Sequence, residues 1–318
     1  MHKPQTSGHD DVIQPGPDAR AKKGPPPARL AQELVAAGLL SDHVRWQPLS
    51  GGRTNQVWLA SDGQYRRVVK LYDVDAATPL FPNTPLAEAL VLEVLADCNL
   101  SPRPLFSGVM SEGPVLIYEH QDGLPWRNDT GSVARRLKRL HGLPHTARLS
   151  ALPSVPDGSA ALVTQTMAIL AQIPPEQAGP LIAMRPPVTV PPSHMRVLLH
   201  GDPVPDNLIC PSHPPGALPV FVDWQCPALG DPVMDLALFL SPAMHLVARG
   251  SPLSAQERAD FLIAYDDEGI AARLEDLSPI LHWRMAAYCL WKITGDRPDP
   301  AYSPALAAEL AALQRATG

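Results

Sequence analysis

Hydrophobic positions along the chain switch between two spacings. From residue 28, ARLAQELVAAGLL carries Leu30, Leu34 and Ala37 at helical intervals and stops near Gly38, which predicts a short leading helix. Apolar runs at 45–49, 56–60 and 67–72 follow, separated by GGRTN and by Ser61-Asp62-Gly63. Turn residues between such runs predict antiparallel strands. Residues 84–96 return to helical spacing with Leu86, Leu90 and Val94 on one face, and strands are expected at 105–109 and 115–119.

Beyond residue 120 the spacing is mostly helical. Residues 130–143 place Val133, Leu137 and Leu140 on one face, with basic residues expected on a solvated one. A helix is expected at 160–173, while 174–192 is so interrupted by prolines that no element is assigned. Apolar runs at 197–199, 208–210 and 220–222 precede helices near 231–246, 254–265, 279–292 and 304–315. The pattern predicts an α+β protein of two lobes: a small antiparallel β-rich lobe over 28–120 and a larger, mainly helical lobe over 121–318. Residues 1–27 are polar and rich in Pro and Gly, too poor in apolar groups to join a core, and are expected to form a disordered tail.

Composition narrows the function classes. With 318 residues, 45% of them hydrophobic, the chain can bury a substantial core. A net charge of −6 with no basic stripe disfavours nucleic acid. Cys98, Cys210, Cys226 and Cys289 lack the spacing of a zinc site or a disulfide frame. No apolar run reaches the roughly 18 residues of a membrane span, and the start lacks the apolar core of a signal peptide. No membrane association and a cytoplasmic location are expected. No oligomeric state is legible.

The chemistry concentrates in LLHGDPVPDNLIC and the VFVDW that follows. Asp202 and Asn207 stand five positions apart in a loop between apolar runs, and Asp223 ends the next run. One carboxylate to take a proton, with an amide oxygen and a second carboxylate to hold Mg²⁺ on phosphates, is the residue set of phosphoryl transfer. A lone Asp or Asn in a loop is more often a turn or a cap; the joint arrangement, followed by GDPVMDLALFL, argues against that. The order H-G-D, four residues, Asn, then an apolar strand and D-W, resembles the aminoglycoside phosphotransferase and choline kinase superfamily, over about residues 46–291.

The resemblance implies a protein-kinase-like fold, ATP and Mg²⁺ as cofactors, and a role for each residue. Asp202 would orient the acceptor hydroxyl and accept its proton; Asn207 and Asp223 would hold the metal; His200 and Asp235 would support the loop. LSGGRTNQVW is similar to the phosphate loop of small-molecule kinases, which nominates Gly51, Gly52, Thr54 and Asn55. Lys70, on a largely apolar strand, would reach the phosphates and pair with a helix glutamate, Glu88 or its competitor Glu93. VLIYEHQDG resembles the hinge between lobes, with Glu119 and His120 offering backbone groups to adenine. His141 and His145 are expected to be structural or exposed.

Asp231 in the GDP that follows stands only eight positions after Asp223, too short a stretch to bind a peptide, so a small alcohol is the expected acceptor. LHWRMAAYCLWKI places Trp283, Tyr288 and Trp291 on a broad helical face. Such a stripe is core packing in most helices, but aromatic faces attract quaternary ammonium groups and a similar late helix lines the pocket of choline kinases. The expectation is a choline-, ethanolamine- or thiamine-like cationic alcohol, with aminoglycosides, amino sugars or other sugars as the alternative. A non-catalytic nucleotide-binding protein of the same fold is a further alternative.

Overall fold

Strand alternation explains how the first half is built. The computed structural model describes residues 24–49, 54–214 and 216–318; Gly51, Gly52 and most of the expected tail lie outside the described residues. Strands β1 (Arg45–Pro48), β2 (Gln56–Ser61), β3 (Arg66–Leu71), β4 (Pro104–Met110) and β5 (Gly113–Glu119) form one antiparallel sheet in the order β1-β2-β3-β5-β4. Because neighbouring side chains on a strand point to opposite faces, Val69 and Leu71 of β3 pack with Leu30 and Leu34 of helix α1 (Ala28–Ala36). Val68 and Tyr72 face the other way, into the main core. Lys70 shares that second face and meets helix α2 (Pro85–Leu95).

Helix α2 buries a different face from the one its spacing suggests. Glu88, Ala89, Val91, Leu92 and Leu95 are buried, whereas Leu86 is 84% exposed. The helix is rotated so that Glu88 meets Lys70, and a buried ammonium without a carboxylate would cost far more than one exposed leucine.

Short strands join the sheet to the helices. β6 (Gly123–Pro125), β8 (Leu208–Pro211) and β9 (Val220–Phe221) form an antiparallel sheet, and β7 (Val197–Leu199) pairs with β10 (Ala228–Gly230). Around them lie α3 (Thr130–His141), α4 (Gly158–Leu170), α5 (Pro175–Ala183), α6 (Val233–Leu240), α7 (Pro242–Arg249), α8 (Ala255–Tyr265), α9 (Glu268–Thr294) and α10 (Tyr302–Thr317). In α3 the expected Val133, Leu137 and Leu140 are fully buried, but so is Arg136, whose guanidinium donates to the carbonyls of Asn99 and Leu218 instead of facing solvent.

Three helix boundaries correct the sequence expectation. The proline-rich 174–192 contains α5, in which Pro175 occupies the first turn where no N–H is needed. The single helix expected at 231–246 is two, broken at Ser241-Pro242, where the Ser241 hydroxyl accepts from the Met244 amide and caps α7. Helix α9 starts eleven residues before Pro279, with the Asp267 carboxylate capping it, and runs through that proline for 27 residues. No helix among the described residues is long and apolar enough to cross a membrane, and all four cysteines are free.

Candidate active site

The loop after β7 is shaped by one glycine and held by one carboxylate. Gly201 has φ +79°, and a Cβ there would collide with the Cys226 carbonyl, so only glycine fits. Asp235, fully buried in the first turn of α6, accepts from the backbone N–H of His200 (2.8 Å) and of Gly201 (2.9 Å). His141 Nε2 lies 3.1 Å from the same carboxylate, and His141 Nδ1 lies 2.8 Å from the Tyr265 hydroxyl. A chain of polar contacts thus runs from α8 through α3 and α6 to the loop.

His200 is also fully buried. Its Nδ1 accepts from the Asp202 N–H (3.2 Å), which makes Nε2 the donor to the Val222 carbonyl (3.1 Å). Burial lowers its pKa despite the nearby Asp235, and its ring packs 4.4 Å from Trp224 and 5.1 Å from Phe221. With both nitrogens engaged and the ring neutral, it is scaffold, not base.

Asp202 stands at the cleft. Asn207 Nδ2 donates to its Oδ2 (3.1 Å) and to its backbone carbonyl (3.0 Å), while Oδ1 is buried with no partner. Burial, followed by the charge of Asp223, pushes the Asp202 carboxyl up to about 8. A group that titrates near neutral pH and keeps an unpartnered oxygen is suited to accept a proton from a bound hydroxyl.

Asp223 follows β9 with φ +59°, a left-handed conformation that few residues other than Gly, Asn and Asp adopt. Its Oδ1 lies 2.5 Å from Lys70 Nζ, which is also 2.6 Å from Glu88 Oε2. Burial alone would lower the Lys70 pKa, but the Asp223 and Glu88 carboxylates outweigh it and hold the group raised. The Tyr72 hydroxyl donates to Glu88 Oε2 at 2.6 Å. Of the two candidate glutamates, Glu88 is therefore the partner; Glu93 pairs with Arg148 at the surface.

Asn55, just before β2, is tied to the segment that follows Asp223. Its Nδ2 donates to Asn83 Oδ1 (3.0 Å) and Gln225 Oε1 (3.1 Å), and its Oδ1 accepts from the Asp73 N–H and from Asn83 Nδ2. Thr54, Asp202, Asn207, Asp223 and Gln225 line one cleft of about 120 Å³.

Two expectations are corrected. The Glu119 N–H donates to the Arg103 carbonyl and the His120 N–H to the Arg66 carbonyl, so the amide half of the hinge expectation is corrected; these bonds do not bear on the two carbonyls. Of the three aromatic residues on α9, only Tyr288 lines the cleft. Trp283 is fully buried against α5, its indole N–H donating to the Leu181 carbonyl (2.7 Å). Trp291 stacks on Tyr288 (6.1 Å, 17°) and donates to Gln172 Oε1 (3.1 Å) without lining the cleft. His141, expected to be structural or exposed, is structural; the residues that the sequence reading missed are Asn83, Gln225 and Tyr72, of which only Tyr72, two positions after Lys70 and just past the end of β3, had a legible signal.

The sequence profile of the phosphotransferase enzyme family matches residues 45–277. The chain belongs to that family. It is accordingly a small-molecule phosphotransferase, and the residues matched run from β1 into α9, including Asp202, Asn207 and Asp223 but stopping before Tyr288, Lys292 and Tyr302 of the cleft. Among solved structures, ethanolamine kinase from Plasmodium vivax superposes with a TM-score of 0.62 at 15% identity, covering 89% of this chain and 88% of that one. Choline kinase from Cryptosporidium parvum gives 0.59 at 14% identity, covering 88% and 91%. A spectinomycin phosphotransferase in complex with ADP and spectinomycin gives 0.53 at 14% identity, covering 92% and 95%. At these identities the likeness is one of fold, an α+β protein-kinase-like architecture. No curated protein shows a significant sequence match.

Proposed function

We propose that the protein transfers the γ-phosphoryl group of ATP to a hydroxyl of a small molecule. The observation that carries this reading is that Asp223, which lines the cleft with Asp202, also meets Lys70 Nζ, itself paired with the buried Glu88. A proton acceptor and a carboxylate for metal share one space, and the lysine expected to reach phosphate lies directly behind that carboxylate.

Asn207 and Asp223 are the residues that would hold magnesium. The Asn207 amide nitrogen is committed to Asp202, which leaves its oxygen as the ligand, and an amide oxygen with a carboxylate is the hard donor set this ion takes beside nucleotide phosphates. When bound, the ion neutralises charge on the phosphates. Asp202 orients the acceptor hydroxyl and receives its proton as the new O–P bond forms and the bond to ADP breaks. His200 and Asp235 keep the loop in place. Lys70 positions the triphosphate, with Thr54 and Asn55 at the end of the loop that contains Gly51 and Gly52.

A cleft of about 120 Å³ supports a small acceptor. A non-catalytic nucleotide-binding protein is disfavoured because every side chain the chemistry needs is present. The cationic-alcohol reading rests on Tyr288 alone of its three aromatic residues, and amino sugars remain its competitor. Purified protein with Mg-ATP and a panel of alcohols, amino alcohols, amino sugars and aminoglycosides, followed by ADP release and product mass, tests the reading. Acceptor-dependent ADP release with a mass gain of one phosphoryl group is expected. Nucleotide that neither binds nor turns over would overturn it.

A further inference from the structure

The connection between β3 and α2 leaves the β-rich lobe and buries itself in the helical one. Leu80 and Phe81, 8% and 7% exposed, join an apolar cluster with Ile169 and Leu170 of α4 and Trp283 and Tyr288 of α9, apart from the core between the five-stranded sheet and α1. Hydrogen bonds hold them there. Thr84 donates to the Gln225 carbonyl from both its N–H (3.1 Å) and its hydroxyl (3.0 Å), and Cys226 Sγ donates to the Pro82 carbonyl (3.0 Å). The Phe81 N–H donates to Thr78 Oγ1 (3.1 Å), in a turn that the Thr78 N–H closes on the Phe81 carbonyl (3.0 Å). Gln225 and Cys226 stand two and three positions after Asp223, so the connection is tied down beside the proposed metal carboxylate.

The same segment walls the cleft. Phe81, Val204, Met244, Tyr288 and Tyr302 all belong to that apolar cluster and all line the cleft, with Thr78 beside them. Phe81 meets the Tyr288 ring edge-on (5.1 Å, 71°), Thr78 Oγ1 lies 3.5 Å from the Tyr288 hydroxyl, and Val204 stands two positions after Asp202. Phosphate oxygens lose hydration against apolar carbon and gain no partner there, so this wall is the part of the cleft offered to the acceptor. To move Phe81 outward, the connection would have to give up its bonds to Gln225 and Cys226 and withdraw Leu80 from the cluster.

We propose that Phe81 sets the size of the acceptor: the connection between β3 and α2 is a fixed wall of the acceptor pocket, which admits compact alcohols and turns away those with a bulky group beyond the reacting hydroxyl. This rests on the phosphotransfer reading above and narrows it.

Acceptor pairs that differ only in bulk, with charge held constant, test it. 2-Aminoethanol is compared with N-benzyl-2-aminoethanol, choline with the analogue in which benzyl replaces one methyl, and 1,3-propanediol with its monobenzyl ether, at saturating Mg-ATP. The compact member should exceed the benzyl member in kcat/KM by about tenfold or more, a factor of the size that one misfitting group produces in an apolar pocket. Phe81→Ala should shrink that ratio to within about threefold, while the KM for Mg-ATP stays within about twofold. Phe81→Leu, which keeps the cluster filled and carries the test should the alanine variant not fold, should shrink the ratio in part. A Phe81 that served only the core would lower melting temperature and slow both members alike. A ratio that a folded Phe81→Leu variant does not move therefore overturns the proposal, as does wild-type use of the benzyl members equal to that of the compact ones. Failure of every compact alcohol to be phosphorylated while Mg-ADP still binds overturns it too. Loss of Mg-ADP binding by the wild-type protein would remove the phosphotransfer reading instead, so the two failures are distinct.

Discussion

Gln225 and Asn55 join across the cleft: the Gln225 side-chain oxygen accepts from the Asn55 amide at 3.1 Å. Gln225 stands two residues after Asp223, and Asn55 stands at the end of the loop expected to hold phosphates. Gln225→Leu should leave one amide hydrogen of buried Asn55 unpaired, costing about 1 to 3 kcal/mol. If the bond aligns the loop with Asp223, the KM for ATP should rise several-fold while that for the acceptor stays within about twofold. Equal changes in both constants would reduce the bond to general stability.

The buried triad of Lys70, Glu88 and Asp223 makes a second prediction. Removing only the cation, by Lys70→Met, leaves a fully buried Glu88 uncompensated and should destabilise the fold by roughly 3 to 5 kcal/mol. Removing both, by Lys70→Met with Glu88→Leu, should recover much of that loss without recovering activity. Urea midpoints of the two variants decide it, and a double variant no more stable than the single one contradicts the argument.

Asp202 and Asp223 should fail in different ways. On the proposed roles, Asp202→Asn removes the proton acceptor while leaving the metal carboxylate, so turnover should fall about 100-fold or more with Mg-ADP affinity nearly intact. Asp223→Ala removes a carboxylate the phosphates and metal both need, so magnesium-dependent nucleotide binding should itself be lost. Calorimetric titration of Mg-ADP into each variant separates the two, and matching affinities would refute this division of roles.

His245 predicts a pH dependence of stability. It is fully buried beside Trp126 and Phe239, with Nε2 donating to the Phe239 carbonyl and Nδ1 unpartnered. Burial, helped by Arg249, holds the imidazole down to about 4, against about 6.5 in an unfolded chain. Between these values the unfolded state binds a proton that the folded state does not, so stability is full above about pH 6.5 and declines as pH falls toward 4. The loss approaches ~3 kcal/mol at the low end and then levels off. The difference in urea midpoint between wild type and His245→Asn should therefore shrink across that window, and a constant difference would rule the histidine out.

Much of the site was legible because its residues bring their own constraints. Asp202, Asn207 and Asp223 keep fixed spacings between apolar runs, and a lysine amid Val68, Val69 and Leu71 demands a carboxylate partner. Which glutamate answers it depended on how α2 rotates, and the exposed Leu86 shows that apolar spacing alone pointed to the wrong face. His141 was expected to be structural or exposed, but its partner was not legible, because a histidine that ends a helix has no characteristic spacing and its contact comes from where α3 meets Asp235. Trp283 was misassigned because helical spacing groups residues on a face without saying what covers it, and α5, which covers it, lay in a stretch with too many prolines to assign. Pro279 looked like a helix start because proline favours the first turn, and the capping carboxylate of Asp267 twelve residues earlier overrode that signal.

Helix α9 is one 27-residue rod whose successive turns serve different neighbours: Trp283 meets α5, Tyr288 reaches the cleft, and Lys292 stands one turn further on. The loop with His200, Gly201 and Asp202 is braced from elsewhere, by Asp235 and His141. On the proposed reading, the cleft wall offered to the acceptor and the loop proposed for the phosphate chemistry rest on separate mechanical supports. A lineage could exchange side chains at the end of one rod and acquire a new substrate while its reaction machinery stayed as inherited, which is a physical route by which one architecture comes to serve many small alcohols.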